Sequence, residues 1–171
     1  MKFNRIVFAL LVMVLFFAAC NPKEKIDEYN KAAAAKIMKH DYKGAIDDLN
    51  KILELNPNDT AAYFNRGLTK LNAEDYKGAI EDYNTALKLK PKESQAYVDR
   101  GNAKSRLNDF KGAIDDFSKA FELNSTNSEA VLSRAICKQN LGDLTAACAD
   151  YKTAVDMGHP KAAELLAANC K

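Results

Sequence analysis

Apolar residues return along this chain at the spacing of an amphipathic helix, in segments of about 12 to 14 residues separated by polar turns. The segments come in pairs, and an eight-residue pattern in the second member of each pair recurs at an offset of thirty-four residues. The close copies are residues 41–48, 75–82 and 109–116, and residues 143–150 are a looser fourth copy. The pattern predicts an all-α chain built from repeated helix pairs.

Polar residues mark where the predicted second helices begin and end. An aspartate precedes each of them, where its carboxylate can accept hydrogen bonds from free backbone N–H groups. These residues are Asp41, Asp75, Asp109 and Asp143. Pro57 and Pro91 follow two of the second helices and end them, because proline cannot continue the hydrogen-bond ladder.

A period of thirty-four residues, carried as two helices per unit, resembles the tetratricopeptide-repeat (TPR) family. Four units fit the chain: residues 26–59, 60–93, 94–127 and 128–161. The resemblance implies an α-solenoid whose first helices line a concave groove. Residues 162–171 are predicted to form a helix that caps the last unit. The end of the chain, from Ala147 to Cys170, is similar to the Sel1-like variant that closes many envelope TPR proteins.

The resemblance also assigns the repeated small and aromatic residues to packing. Alanines stand where the two helices of a unit cross most closely, and Gly67 and Gly101 are expected to face them. The alanines are Ala45, Ala79, Ala113 and Ala147. The aromatic residues match the large packing residues of the family, which favours a core over a cofactor site. They are Tyr29, Tyr63, Tyr97, Tyr83, Phe117 and Tyr151.

A charge pair recurs with the repeat. In the stacking order of the family, the aspartate of one unit would reach the arginine of the next unit. The predicted pairs are Asp48–Arg66, Asp82–Arg100 and Asp116–Arg134. Bidentate pairs of this kind can set the angle between repeats. The alternative is a row of arginines that binds an anion.

The N-terminal segment has the features of a processing signal. Lys2 and Arg5 precede an apolar run from Ile6 to Ala19, which is shorter than the roughly 20 residues that cross a membrane comfortably. The run ends in Phe-Ala-Ala before Cys20, which resembles the lipobox of bacterial lipoproteins. The resemblance implies a signal peptide over residues 1–19 and a lipid on Cys20, with residues 20–25 as a polar tether. An uncleaved anchor is the alternative.

Charge and composition exclude several kinds of partner. Without Lys2 and Arg5, the chain carries as many acidic as basic side chains, so it lacks the basic surface that nucleic acids require. No polybasic patch for anionic lipid is present either, and membrane attachment is therefore expected through Cys20 alone. Position 21 is asparagine. An aspartate there would resemble an inner-membrane retention signal, so the outer membrane is favoured.

Three cysteines remain after Cys20: Cys137, Cys148 and Cys170. An exported protein can form disulfides, and we favour the pair Cys148–Cys170, which would fasten the capping helix. The pair Cys137–Cys148 is the alternative. His40 and His159 are expected to face solvent, and no metal-ligand spacing is present.

The sequence predicts neither an enzyme nor a cofactor or a small-molecule substrate. Phosphate-cradling loops, a nucleophile elbow of the form G-x-S-x-G and the zinc-binding pattern H-E-x-x-H are all absent. The paired carboxylates fall on repeat positions, so the repeat already explains them.

The family's groove positions predict a binding surface on the first helices. The predicted site residues are Asn30, Phe64, Leu68, Val98, Asn102, Arg106 and Leu132. Further candidates are Ala34, Leu71 and Ile136, with Asn65, Asn72 and Asn140 as polar companions. Leu71 and Ile136 could equally pack inside. Phe64 and Leu68 stand where a carboxylate-binding member would carry lysine and asparagine, while Asn102 matches. This mixture favours an extended peptide or a partner helix.

Two functions are compatible with these patterns. The first is a lipid-anchored scaffold that binds a protein or peptide partner in the bacterial cell envelope. The second is a structural lipoprotein that associates with itself and has no dedicated peptide ligand.

Overall fold

The structure is a computed structural model that describes residues 21–170. Within that range every regular element is an α-helix. The chain divides into two compact parts between Asp59 and Thr60. The N-terminal part contains α1 (Pro22–Met38) and α2 (Tyr42–Leu55).

The first helix begins earlier than the sequence predicts. Residues 20–25 were expected to form a tether, but α1 already begins at Pro22. The backbone N–H of Lys23 donates a hydrogen bond to the Asn21 side chain at 3.1 Å, and the proline stands where its missing N–H costs nothing. The predicted tether therefore overlaps the first turn of α1 at residues 22–25, whose side chains are exposed.

The C-terminal part contains three helix pairs and one shorter helix. In chain order these are α3 (Thr60–Asn72), α4 (Tyr76–Leu89), α5 (Ser94–Arg106), α6 (Phe110–Leu123), α7 (Ser128–Asn140), α8 (Leu144–Asp156) and α9 (Ala162–Asn169). Consecutive helices pack against each other throughout this part. A core therefore runs from α3 to α9.

Each second helix is capped as the sequence predicts. The carboxylates of Asp41, Asp75 and Asp109 accept hydrogen bonds at 3.0 Å from the backbone N–H three residues later. Asp143 does the same for Ala146 at 3.0 Å. The caps satisfy backbone donors that no helical partner can reach, so they fix where these helices begin.

Aromatic rings lie next to two glycines of the first helices. A Cβ atom added to Gly67 would lie 3.0 Å from the Tyr83 ring, and one added to Gly101 would lie 2.9 Å from the Phe117 ring. The nearest groups to these glycines are thus rings, whereas the sequence predicted the alanines Ala79 and Ala113. A side chain at Gly101 would therefore force the Phe117 ring to shift, and one at Gly67 would crowd the Tyr83 ring.

The rings of the second helices form the centre of the core but differ in their polar atoms. Tyr83, Phe117 and Tyr151 are fully buried. The Tyr151 hydroxyl donates to Gln139 at 2.5 Å, whereas the Tyr83 hydroxyl has no hydrogen-bond partner among the described residues. Burial raises the pKa of the Tyr83 hydroxyl far above its usual range, so the group stays neutral.

The last helix covers the apolar end of the core, as predicted for a capping helix. Ala162 is fully buried, and Leu165 and Leu166 pack against the cluster that contains Tyr151. A disulfide joins Cys148 of α8 to Cys170 directly after α9. This is the pairing favoured from the sequence, and it leaves Cys137 as a buried free thiol.

Candidate functional site

The repeated arginines lie inside the repeats and are bound to buried aspartates. Arg100 donates to both carboxylate oxygens of Asp116, from Nε at 2.9 Å and from Nη2 at 2.6 Å. Arg66 contacts Asp82 and Arg134 contacts Asp150 in the same way. The predicted pairings Asp82–Arg100 and Asp116–Arg134 are therefore wrong, because Arg100 and Arg134 each reach the carboxylate on the second helix of their own pair.

A third hydrogen bond of the arginine provides the link between repeats. Nη1 of Arg100 donates to the Asn84 side chain at 2.7 Å, and Nη1 of Arg134 donates to the Ser118 hydroxyl at 3.2 Å. Both acceptors lie on the second helix of the preceding repeat. The guanidinium group thus links its own repeat to the preceding one through a polar side chain on the second helix of that preceding repeat.

Further contacts hold the repeated arginines in a structural role. The Arg100 guanidinium also stacks over the Tyr97 ring at 5.4 Å, and Lys104 adds a second cation to Asp116 at 2.7 Å. In the last repeat, burial alone would raise the pKa of Asp150, but hydrogen bonds from Arg134 and Lys138 hold it below its usual value. The repeated arginines do not form an open anion-binding row.

Two of the predicted groove residues lie in the core. Val98 is 3% exposed and packs with the Phe117 cluster, and Leu132 is 4% exposed and packs with the Tyr151 cluster. Their side chains are therefore not available to a ligand. Phe64 stands at the equivalent position of the preceding repeat but is only half-buried, with its ring edge-on to Tyr83.

The remaining predicted residues of the C-terminal part lie at the surface. Leu68 is 36% exposed, Arg106 is exposed and Asn102 is half-buried. Of the two residues whose burial the sequence left open, Leu71 packs partly against the core, whereas Ile136 is 38% exposed.

Asn30 belongs to the N-terminal part. It is exposed on α1, which is the first helix of the first predicted unit.

A polar depression brings several predicted residues together on α3 and α5. It has a volume of about 480 Å³. Its lining consists of Leu71, Asn72, Glu74, Tyr76, Asn102, Ser105 and Arg106. Arg106 forms no ion pair within residues 21–170, in contrast to the repeated arginines. The depression therefore offers amide, hydroxyl, carboxylate and guanidinium groups to a ligand.

A second, mainly apolar pocket lies at the other end of α3. It has a volume of about 200 Å³. Its lining consists of Thr60, Ala61, Phe64, Asn65, Ala86, Lys90, Glu93 and Ala96. Only Phe64 and Asn65 were predicted from the sequence. Thr60 and Ala61 lie on α3 itself, and the other lining residues belong to the turn between α4 and α5 and to these two helices. The internal repeat did not indicate any of them.

One face of α3 connects the two sites. Phe64, Leu68 and Leu71 follow one another at the spacing that places residues on the same side of a helix. The distance from Phe64 to Asn72 along the helix axis is about 12 Å, since each residue adds about 1.5 Å. This face and the two depressions form the candidate site, which we call the α3 groove.

Other sequence-based predictions have separate outcomes. His40 is exposed as predicted, but the His159 side chain is largely buried, with Nε2 2.9 Å from a Glu129 carboxylate oxygen. Cys20 lies outside the described residues. Within the described range, none of the helices has the length and apolar character needed to span a membrane, and no cluster of side chains suited to a metal ion is found.

Comparison with known proteins agrees with the internal repeat. Models of the tetratricopeptide repeat match residues 60–93 and 94–127, which are the bounds of the second and third predicted units. Residues 60–127 are therefore tetratricopeptide repeats. No curated protein sequence gives a match.

Solved structures extend the likeness to most of the chain. A crystal structure of MamA protein has a TM-score of 0.79 and 23% identity, and the alignment covers 84% of this chain and 80% of that one. YrrB, a TPR protein with an unusual peptide-binding site, has a TM-score of 0.70 and 24% identity, and the alignment covers 84% of this chain and 79% of that one. The first TPR of Spaghetti (RPAP3), bound to an HSP90 peptide, has a TM-score of 0.67 and 24% identity, and the alignment covers 70% of this chain and 94% of that one. The protein thus has the all-α solenoid fold of tetratricopeptide repeats.

Proposed function

We propose that this protein is a lipid-anchored scaffold of the bacterial cell envelope that binds a peptide segment of a partner protein in the α3 groove. The observation that carries the proposal is the pair of open depressions on one face of α3, one apolar at Phe64 and one polar at Arg106. A scaffold needs binding groups without catalytic ones, and the groove offers side chains that pack and donate hydrogen bonds. We propose no catalytic activity.

The ligand that fits the groove best is an extended peptide. Main-chain amides of such a peptide can bond to Asn72 and Asn102, while its side chains pack against Leu68 and Phe64. Two of the structurally similar proteins are described as peptide-binding, which supports this kind of ligand. At about 3.3 Å per residue, four residues of extended chain would bridge the roughly 12 Å between the two depressions.

We expect replacement of Arg106 by glutamate to weaken peptide binding at least tenfold. The test selects a random peptide library, displayed on phage, against the full chain held in lipid nanodiscs. Selected peptides should bind the Arg106→Glu variant at least tenfold more weakly, because the reversal removes the exposed unpaired guanidinium and repels the same ligand groups. Lys152→Glu provides the matched control, since Lys152 is exposed on α8 and distant in sequence from the groove.

The opposite result would favour the second function. If no peptide is enriched, or if the selected peptides bind both forms equally, the groove is not the site. Self-association then becomes the better proposal, and the apolar side chains exposed on the last repeat would be its contacts. Ile136, Leu141 and Leu144 are 38%, 45% and 51% exposed. Sedimentation over a range of protein concentrations distinguishes the two functions.

The anchor is proposed from residues 1–20 alone. The sequence ending in Cys20 supports lipidation of that thiol after removal of residues 1–19, and Asn21 supports the outer membrane. The Sel1-like character of the C-terminal end belongs to the same proposal of an envelope protein.

We expect Cys20→Ala to leave an unprocessed precursor in a bacterial host. The variant has no thiol at position 20 to accept the lipid, so the cleavage that follows lipidation cannot occur. Mass spectrometry and incorporation of labelled palmitate provide the measurement, with Cys137→Ala as the control. A Cys20→Ala protein of normal mature mass would contradict the proposed anchor while leaving the groove unaffected.

A further inference from the structure

The apolar pocket between the second and third repeats is not a feature that every repeat possesses. Ala61 lies in its lining, and the residue thirty-four positions later is Gln95. The Gln95 amide donates a hydrogen bond to Asp99 at 3.2 Å. The Gln95 side chain thus covers the face of α5 that corresponds to the pocket side of α3. On α3 the shorter Ala61 leaves this face open.

The turn beside this pocket is also unlike the other turns between repeats. Residues 88–93 contain three exposed lysines and one glutamate, while the equivalent residues 54–59 and 122–127 contain no basic residue. The lysines are Lys88, Lys90 and Lys92. None of them forms an ion pair within the part of the chain that the structure describes. Residues 88–93 therefore carry a net positive charge, and the pocket lining itself contains Lys90 and Glu93 from this segment.

The size of the pocket restricts what can enter it. Its volume of about 200 Å³ lies below the roughly 300 to 1,000 Å³ of pockets that hold drug-sized molecules. A single side chain is the group that suits such a space, in the manner of an anchor residue at a protein interface. Phe64, Ala86 and Ala96 offer it an apolar lining.

We propose that this pocket binds one aliphatic side chain of the partner peptide, and that the residues flanking this side chain in the peptide are acidic. The apolar lining selects the aliphatic group, and Lys90 at the rim selects the negative charge beside it, with Lys88 and Lys92 adding to the local potential. The inference rests on the proposed peptide-binding function and adds the class of sequence that the groove recognises.

The test measures fluorescence anisotropy of labelled pentapeptides with the full chain in nanodiscs, with empty nanodiscs as background. The peptide Gly-Glu-Leu-Glu-Gly should bind at least tenfold more tightly than Gly-Glu-Ala-Glu-Gly, which lacks the anchor. It should also bind at least tenfold more tightly than Gly-Lys-Leu-Lys-Gly, which reverses the charge. Raising the salt concentration should reduce the second difference and leave most of the first.

Two variants copy residues that other repeats of the same chain already carry, so both should fold. Ala61→Gln takes the residue of position 95 and should remove the preference for leucine over alanine. Lys90→Asn takes the asparagine found at positions 56 and 124 and should weaken the preference for the acidic peptide at least threefold. Ala149→Gln and Lys152→Asn, both at exposed positions on α8, should change neither preference.

Other outcomes would overturn the inference. Equal binding of the leucine and alanine peptides would exclude an anchor pocket, and tighter binding of octanoate than of any peptide would identify an acyl chain as the occupant. If peptides selected from the library still require Arg106 while Ala61→Gln has no effect, the proposed function stands and only the pocket's role is rejected.

Discussion

Replacing Gly101 with leucine is expected to lower the stability of the repeats by about 2 kcal/mol, which is within the usual cost of overpacking a core. A Cβ atom at this position would lie 2.9 Å from a ring carbon of Phe117, and that ring is fully buried among neighbouring side chains. The ring cannot move aside without disturbing the whole cluster. Urea unfolding monitored by circular dichroism measures the loss.

A double-mutant cycle separates the contact with the ring from the other effects of leucine. Phe117→Ala alone should cost about 3 to 5 kcal/mol, because it leaves a cavity. The variant with both changes should cost less than the sum of the single variants, since the leucine then fills space that the ring has left. Ala149→Leu at an exposed position should be nearly neutral. Additive costs at Gly101 and Phe117 would contradict the assigned contact.

The helices and their caps were predictable because the information for them is local and repeated. The aspartate caps depend on residues three positions apart, and all four were predicted correctly. The start of α1 was missed although its signal is equally local. Asn21 followed by Pro22 is a helix-start signal, but the polar residues after it lack the apolar spacing that predicts an amphipathic helix.

The register between the two helices of a repeat could not be read from the sequence. Asp82 is sixteen residues after Arg66 and eighteen residues before Arg100, and Asp116 has the same two separations from Arg100 and Arg134. Both pairings therefore preserve the repeat equally well, and only the positions of the helices in space select the pairing within one repeat. A repeating sequence identifies which residue types can pair, but it does not determine which copies of them are in contact.

The candidate site was predicted only in part for a related reason. Phe64, Val98 and Leu132 occupy equivalent positions, yet the first is half-buried and the other two are in the core. The burial of each depends on the side chains that the adjacent helices place beside it. Lys90 and Ala61 differ from the residues at the equivalent positions of the other repeats, so the internal repeat could not predict them.

The second large effect is expected at the C-terminal end of the chain. α9 contains eight residues, too few for a helix that is stable without tertiary support. The disulfide between Cys148 and Cys170 closes a segment with a sequence separation of 22. For a loop of this length, the chain-entropy model assigns a stabilisation of about 3 kcal/mol.

Replacing both Cys148 and Cys170 with serine should therefore lower the free energy of unfolding by up to about 3 kcal/mol. The loss should appear first in α9, because this short helix is then held mainly by the packing of Ala162, Leu165 and Leu166 and by a hydrogen bond between Gln139 and Asn169 at 2.9 Å. Hydrogen exchange should accelerate in residues 162–169 before it changes in α3 to α6. A reductant should have the same effect on the native chain and none on the serine variant.

Cys137 provides the control that links this loss to the disulfide. It is a free thiol buried beside the Ser105 hydroxyl, and burial raises its pKa. It should therefore react slowly with thiol reagents in the folded protein. Cys137→Ala should leave the sensitivity of α9 to reductant intact. If Cys137→Ala abolishes that sensitivity, the thiol exchanges with the disulfide, and the cap is held by more than one cysteine pairing.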